Sequence, residues 1–256
     1  MRPRIIPCLL LQNGRVVKTT KFKNPVYIGD PINTIKIFNE KEVDEVIILD
    51  ISNNRYEKGP DIQLLEELAS ECFMPMAYGG GIRSFEDARN VFSCGIEKII
   101  VNKMAVFNKK ELMKIIEHYG SQAVVLSIDV ANNWYGKRKI YTNGKKTSVN
   151  IDLSTYIKKL QEIGIGEIFI NDIDKDGSMS GYNIPLFKEV SSYSLVPVIG
   201  SGGANSIEDI TNAFKEGNIN GASVGSFFVF QGPHKAVLIS YPSPQEILEL
   251  INKVKI

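Results

Sequence analysis

The chain has 256 residues, 43% of them hydrophobic, and a formal net charge of +1. That is enough apolar material for one large core, and α/β barrels of this length usually form a single domain. The charge balance argues against a general nucleic-acid surface, which needs a concentrated basic face. Three scattered cysteines (Cys8, Cys72, Cys94) lack metal-ligand spacing and read as reduced thiols.

Met1-Arg2-Pro3-Arg4 runs straight into the apolar stretch from Ile5 to Leu11. The stretch is too short to span a membrane and lacks a small-residue cleavage site, so a cytoplasmic protein without membrane association is expected. Further strands are expected at 46–51, 75–78, 97–102, 123–129, 167–172, 196–200 and 221–225. All are short, β-branched and almost continuously apolar, as in a parallel sheet buried on both faces. Between them fall helical patterns, in order Ile32 to Lys41, Asp61 to Cys72, Phe85 to Cys94, Lys109 to Tyr119, Leu153 to Ile163, Ile184 to Ser191, Ile207 to Glu216 and Pro244 to Val254. Strands alternating with helices specify right-handed βαβ crossovers.

Two connections are long, Gln12 to Asp30 and Val130 to Asn150, and both follow the C-terminal ends of strands. Asn143-Gly144 marks a hairpin turn in the second. Trp134 and Tyr135 lie in that loop, where packing of the hairpin or ligand stacking are the available roles. Residues 232–242 separate the last strand from the last helix and read as a phosphate-binding segment, an edge strand or a partner contact.

Gly79-Gly80-Gly81 and Ser201-Gly202-Gly203 each join a strand to a helix N-terminus, where free N–H groups and the helix dipole attract anions. Ordinary tight turns would account for one copy. Two copies suggest a ligand with two phosphates. Gly81 and Gly203 lie 122 positions apart (203 − 81), and the same offset carries Val43–Ile51 onto Ile165–Ile173. The chain is therefore two similar halves, roughly 1–121 and 122–256, and eight strand–helix units predict a single (βα)8 TIM barrel. Carboxylates ending strands are candidates for proton transfer: Asp50, Asp129, Asp172, Asp174 and Asp176, with helix capping or loop fixing as the structural alternative. Lys18 could meet phosphate or carboxylate.

These residues carry a resemblance. Arg4 to Leu9, Asn13 to Lys18, Gly29-Asp30-Pro31, Gly79 to Ile82, Gly120 to Val125, Asp174 to Tyr182 and Ser201 to Ala204 resemble the cyclase subunit of imidazole glycerol phosphate synthase, in order and over nearly the whole chain. The resemblance implies a half-barrel-duplicated (βα)8 fold, a glutaminase partner supplying ammonia, a bisphosphate ribonucleotide ligand, and no metal or organic cofactor. It implies a catalytic role for Asp129, and phosphate or substrate contacts for Lys18, Asp50, Gly80, Gly81, Asn102, Asp176, Gly177, Gly202, Gly203 and Ser226. Arg4, Glu45, Lys98 and Glu167 match a charged ring around the N-terminal mouth where ammonia enters. All four start or nearly start strands, so they should converge at one end.

The main departure is Leu10, which stands where the family's other catalytic aspartate ends strand one. Ring closure with elimination needs an acid and a base on opposite sides of the substrate, and each typically contributes ~10²–10⁴-fold. Leucine supplies neither. Thr19, Lys103, Asn171 and Asn205 are smaller departures, and Lys103 adds a cation beside a phosphate loop. Two readings follow: a working cyclase of histidine biosynthesis, or a diverged paralogue passing ammonia to a sugar amidotransferase in surface-polysaccharide synthesis. Leu10 favours the paralogue. It also counts against the sister aldose–ketose isomerase, which needs an aspartate at the same place.

Overall fold

The computed structural model describes residues 2–142 and 146–254. The expected Asn143-Gly144 turn lies outside them. In chain order the strands are β1 (Arg4–Gln12), β2 (Arg15–Thr20), β3 (Lys23–Gly29), β4 (Val46–Asp50), β5 (Met76–Gly79), β6 (Lys98–Val101), β7 (Val124–Asn132), β8 (Arg138–Thr142), β9 (Thr147–Val149), β10 (Glu167–Asp172), β11 (Val198–Ser201), β12 (Gly221–Val224), β13 (Phe230–Gln231) and β14 (Ala236–Val237). The helices are α1 (Pro31–Glu40), α2 (Arg55–Lys58), α3 (Ile62–Glu71), α4 (Phe85–Ser93), α5 (Lys103–Phe107), α6 (Lys109–Tyr119), α7 (Leu153–Gln161), α8 (Ile184–Tyr193), α9 (Ile207–Lys215) and α10 (Pro244–Val254).

Eight strands pair in parallel around a closed ring, β1-β4-β5-β6-β7-β10-β11-β12, and β12 returns to β1 with Arg4 opposite Gly221. This is the expected barrel. Alternation along each strand sends one set of side chains inward, where Ile6, Cys8, Ile47, Ala77, Ile100, Val125, Phe169 and Ile199 fill the lumen. The other set, including Ile5, Leu9, Val46 and Ile48, packs outward beneath the helices. The lumen is thus a packed core with a polar layer at each end.

The expected long loops are not irregular. Gln12 to Asp30 folds as the hairpin β2–β3, and β7 continues past Asp129 into the hairpin β8–β9. Segment 232–242 supplies half of a two-stranded ribbon, β13–β14, which is the edge-strand alternative.

The repeat extends to individual hydrogen bonds. Helices α4 and α9 are offset by 122 at both ends. Their N-caps Ser84 and Ser206 accept from the amides of Asp87 and Asp209 at 3.1 and 3.0 Å. Asp87 and Asp209 reach back to the amides of Arg83 and Asn205 at 2.9 and 3.0 Å. Each turn is therefore locked by a reciprocal cap that satisfies two otherwise orphaned donors.

Candidate functional site

The C-terminal ends of the barrel strands enclose one cavity of about 720 Å³. Its lining includes Leu10, Lys18, Asp50, Gly80, Gly81, Asn102, Asp129, Asp176, Gly177, Gly202, Gly203 and Ser226. These expected residues therefore meet one space, although the sequence spreads them from strand one to strand eight, while the candidates Asp172 and Asp174 lie outside its lining.

Asp129 is one of its buried carboxylates. It is inward-facing on β7, deep among packed atoms yet open to the cavity on one side. Asn102 donates to it from Nδ2 at 3.1 Å. Burial, together with the charge of Asp176, pushes the Asp129 carboxyl up to about 7, against the pull of hydrogen bonds from Asn171 and Ser127. A carboxyl poised near neutral pH can give or take a proton during turnover. Asp176 is also raised by burial, opposed by the Phe22 amide, the Lys18 charge and the Thr19 hydroxyl. Lys18 is no surface residue: it is buried, its ammonium donates to the Cys8 carbonyl, and burial lowers its pKa.

Directly across the barrel, four places round the ring of eight, β1 presents Leu10. Leu10 packs with Leu49 against the lumen cluster. One side of the cavity thus offers a carboxyl raised toward neutral pH and the other an apolar wall.

Two glycine-lined recesses of the kind that suit an anion flank this axis. The first lies at the ends of β5 and β6. Gly80 has φ +116, and a side chain there would run into the Asp50 carbonyl. Beyond it, Gly81, Asn102 and the start of α5 face the cavity, with the Asn102 Oδ1 buried and unpaired. Arg55 and Lys103 place their charges 4.6 and 4.5 Å from the Tyr56 ring centroid beside this cradle. The second cradle uses Gly177, Gly202, Gly203 and Ser226, and Gly202 (φ +100) crowds the Asp172 carbonyl as Gly80 crowds that of Asp50, 122 residues earlier.

The remaining carboxylates divide. Asp50 accepts from the Ser52 amide at 2.7 Å, fixing its loop while still lining the cavity. Asp172 is buried, holds the Asp174 amide at 2.9 Å and Asn183 at 2.6 Å, and takes the structural role. Asp174 accepts from the Asn132 amide at 2.8 Å. The expected packing role for Trp134 and Tyr135 is corrected: they are 95% and 89% exposed. The turn is closed instead by Asn133 Oδ1, which accepts from the Tyr135 and Lys137 amides, so no aromatic contact is needed.

At the opposite end Arg4, Glu45, Lys98 and Glu167 do converge. Arg4 donates to Glu45 at 2.7 Å and to Glu167, while Lys98 meets Glu45 at 3.1 Å and Glu167 at 3.2 Å. Each cation bridges both anions, which closes the square over the lumen.

Sequence reasoning missed Ser127 and Ser223 in the lining, and the Arg55–Tyr56 pair. The two serines were accessible from period-two alternation along their strands. Arg55 and Tyr56 carry no such signal.

Fold and cavity together define a duplicated (βα)8 barrel with paired glycine turns around a buried carboxyl, Asp129, raised toward neutral pH. Residues 4–234 match the histidine biosynthesis protein family. The chain is 44% identical over 247 residues to a protein of Pseudomonas aeruginosa provisionally named imidazole glycerol phosphate synthase subunit hisF2, covering 96% of this chain and 98% of that one. It is 45% identical over 249 residues to a provisionally named HisF subunit of Leptospira interrogans, with 96% and 97% covered. Identity to the imidazole glycerol phosphate synthase subunit HisF of Alkaliphilus metalliredigens is 35% over 225 residues, with 88% and 89% covered. The chain belongs to the histidine biosynthesis protein family, as a HisF-type synthase subunit.

Proposed function

We propose that this HisF-type barrel takes ammonia from a glutaminase subunit through the Arg4–Glu45–Lys98–Glu167 mouth, holds a bisphosphate ligand, and passes ammonia onward instead of closing an imidazole ring. The observation that carries the reading is Leu10 facing Asp129 across the cavity. A leucine stands where the two-sided chemistry calls for a second carboxyl opposite Asp129. The paired cradles support retention of a bisphosphate as a signal for ammonia release, and Lys103 with Arg55 adds positive charge at one end. The higher identity to the provisionally named subunits than to the plainly named HisF protein supports divergence from the cyclase. The acceptor we favour is a sugar amidotransferase in surface-polysaccharide synthesis.

A working cyclase is the second reading, favoured by the Asp129 carboxyl at about 7 and by the complete cradles. The test is to assemble the chain with its glutaminase and add glutamine and the ribulosyl bisphosphate precursor. The reading predicts that the bisphosphate stimulates glutamine hydrolysis, with ammonia appearing in solution in step with glutamate. Imidazole glycerol phosphate formed in step with glutamate would establish the cyclase instead.

A further inference from the structure

Lys18 is held in a way that an anion-binding lysine is not. It lies on β2 at 5% exposure, and the hairpin that carries it folds back over β1. Its Nζ donates to the Cys8 carbonyl, and none of the ion pairs among the described residues includes it. Asp176 acts on it through space, but that carboxyl is fastened to the same hairpin, accepting from Thr19 Oγ1 at 3.1 Å and from the Phe22 amide at 3.3 Å. Burial holds the neighbouring Cys8 in its thiol form, so it brings no compensating charge. A lysine taken out of water without a close counter-ion gives up its proton more readily, which is the direction burial imposes on Lys18. The neutral form has a lone pair that the bond to the Cys8 carbonyl leaves free.

The amine is also placed. It reaches the cavity from the β1–β12 side, where a Cβ at Gly225 would lie 2.8 Å from Nζ, so glycine leaves it room. Gly177 packs against the Thr19 carbonyl, one residue beyond Lys18, and Ser226 follows Gly225. Lys18 therefore stands beside the second glycine recess. Asp129 faces the same space from β7, four places round the ring from β1. Arg55 and Lys103 supply half-buried positive charge beside the first recess, the arrangement that phosphate recognition favours. A desolvated amine is poorly matched to that task and well matched to an electrophilic carbon.

We propose that Lys18 captures a phosphorylated ketone or aldehyde in this cavity as an imine, a proposal that rests on the cavity holding a phosphate-bearing ligand. Nζ attacks the carbonyl carbon and a C–N bond forms. Asp129 lends a proton to the resulting hydroxyl, which departs as water, and then takes back the last N–H proton. Both amine protons thus end on the departing oxygen, no oxidant or reductant is consumed, and hydrolysis reverses the step. Such a linkage retains a bisphosphate without transforming it, as a ligand kept for signalling requires.

The experiment incubates the whole chain with ribulose bisphosphate, an open-chain ketone with a phosphate at each end, and reduces any imine with sodium cyanoborohydride. Intact mass and peptide mapping then locate the secondary amine, while calorimetry without reductant measures binding of the same probe. The expected result is one ligand per chain on Lys18, and about tenfold less label or lower still in Lys18→Arg and Lys18→Met. Arginine keeps a charge that cannot form the imine, and methionine keeps the length in an apolar form. Because mapping is done on the wild type, the result stands even where a variant folds poorly. Binding of the probe without label on Lys18 would overturn the imine and leave the phosphate-ligand reading in place. Label spread over exposed lysines would overturn it equally. Absence of both binding and label in the wild type would remove the phosphate-ligand reading, and the imine with it.

Discussion

At the residue scale, Asp129 ties stability to function. Its carboxyl is raised to about 7 by burial and by Asp176. The folded state therefore holds a proton that the unfolded chain releases near the usual carboxylate value, and stability must fall as pH rises between the two. The penalty is absent below about pH 4 and complete above about pH 7, up to roughly 4 kcal/mol at 1.36 kcal/mol per pKa unit. Thermal unfolding measured across that range should show Asp129→Asn flattening the slope and gaining most at the alkaline end. Gly80 gives a second expectation, since a side chain at φ +116 would strike the Asp50 carbonyl. Gly80→Ala should destabilise by roughly 1–3 kcal/mol, read as a lowered denaturation midpoint, and weaken binding of phosphate-bearing ligands. Such single positions were unequally visible in the sequence. Leu10 was legible because a matching pattern made its departure conspicuous. The burial of Lys18 was not, because only the β2 hairpin folding back over β1 carries that lysine inward.

At the element scale, the duplication makes quantitative demands. Ser84 and Ser206 cap α4 and α9 with near-identical geometry, 122 residues apart. Alanine at either should cost about 1 kcal/mol. The caps share no partner, so the double variant should cost the sum within ~0.5 kcal/mol in equilibrium denaturation. The elements were legible for the same physical reason that they form. Capping serines, prolines at first helical positions and apolar strands of four to six residues are local signals. What they could not disclose was the fate of the first long loop, whereas the second carried a hairpin signal at Asn143-Gly144. Pairing of β2 with β1 and of β8 with β7 extends the barrel strands into hairpins, a tertiary effect that no local propensity encodes. The same limit explains Trp134 and Tyr135: aromatic type alone suggested packing, whereas Asn133 closes the turn and leaves both rings in solvent.

At the scale of the whole molecule, the barrel separates two polar ends with a packed lumen. At one end, four charges satisfy one another. Glu167→Gln would leave Arg4 and Lys98 each short of a partner while both stay largely buried. Loss of roughly 1–3 kcal/mol is expected on denaturation, less than for a fully buried pair because the two cations keep some solvent. The convergence of these four residues was predictable from strand starts alone. The pairing of each cation with both anions required the ring to close. At the other end, both cradles and Asp129 face a cavity whose opposite wall is Leu10, and the central claim is that this wall uncouples binding from ring closure. It is tested most directly by single-turnover conversion of the ribulosyl bisphosphate precursor with saturating ammonium, wild type beside Leu10→Asp. The account predicts no detectable imidazole glycerol phosphate from the wild type, and formation of the product when the carboxylate is restored opposite Asp129. Robust ring closure by the wild type would contradict it.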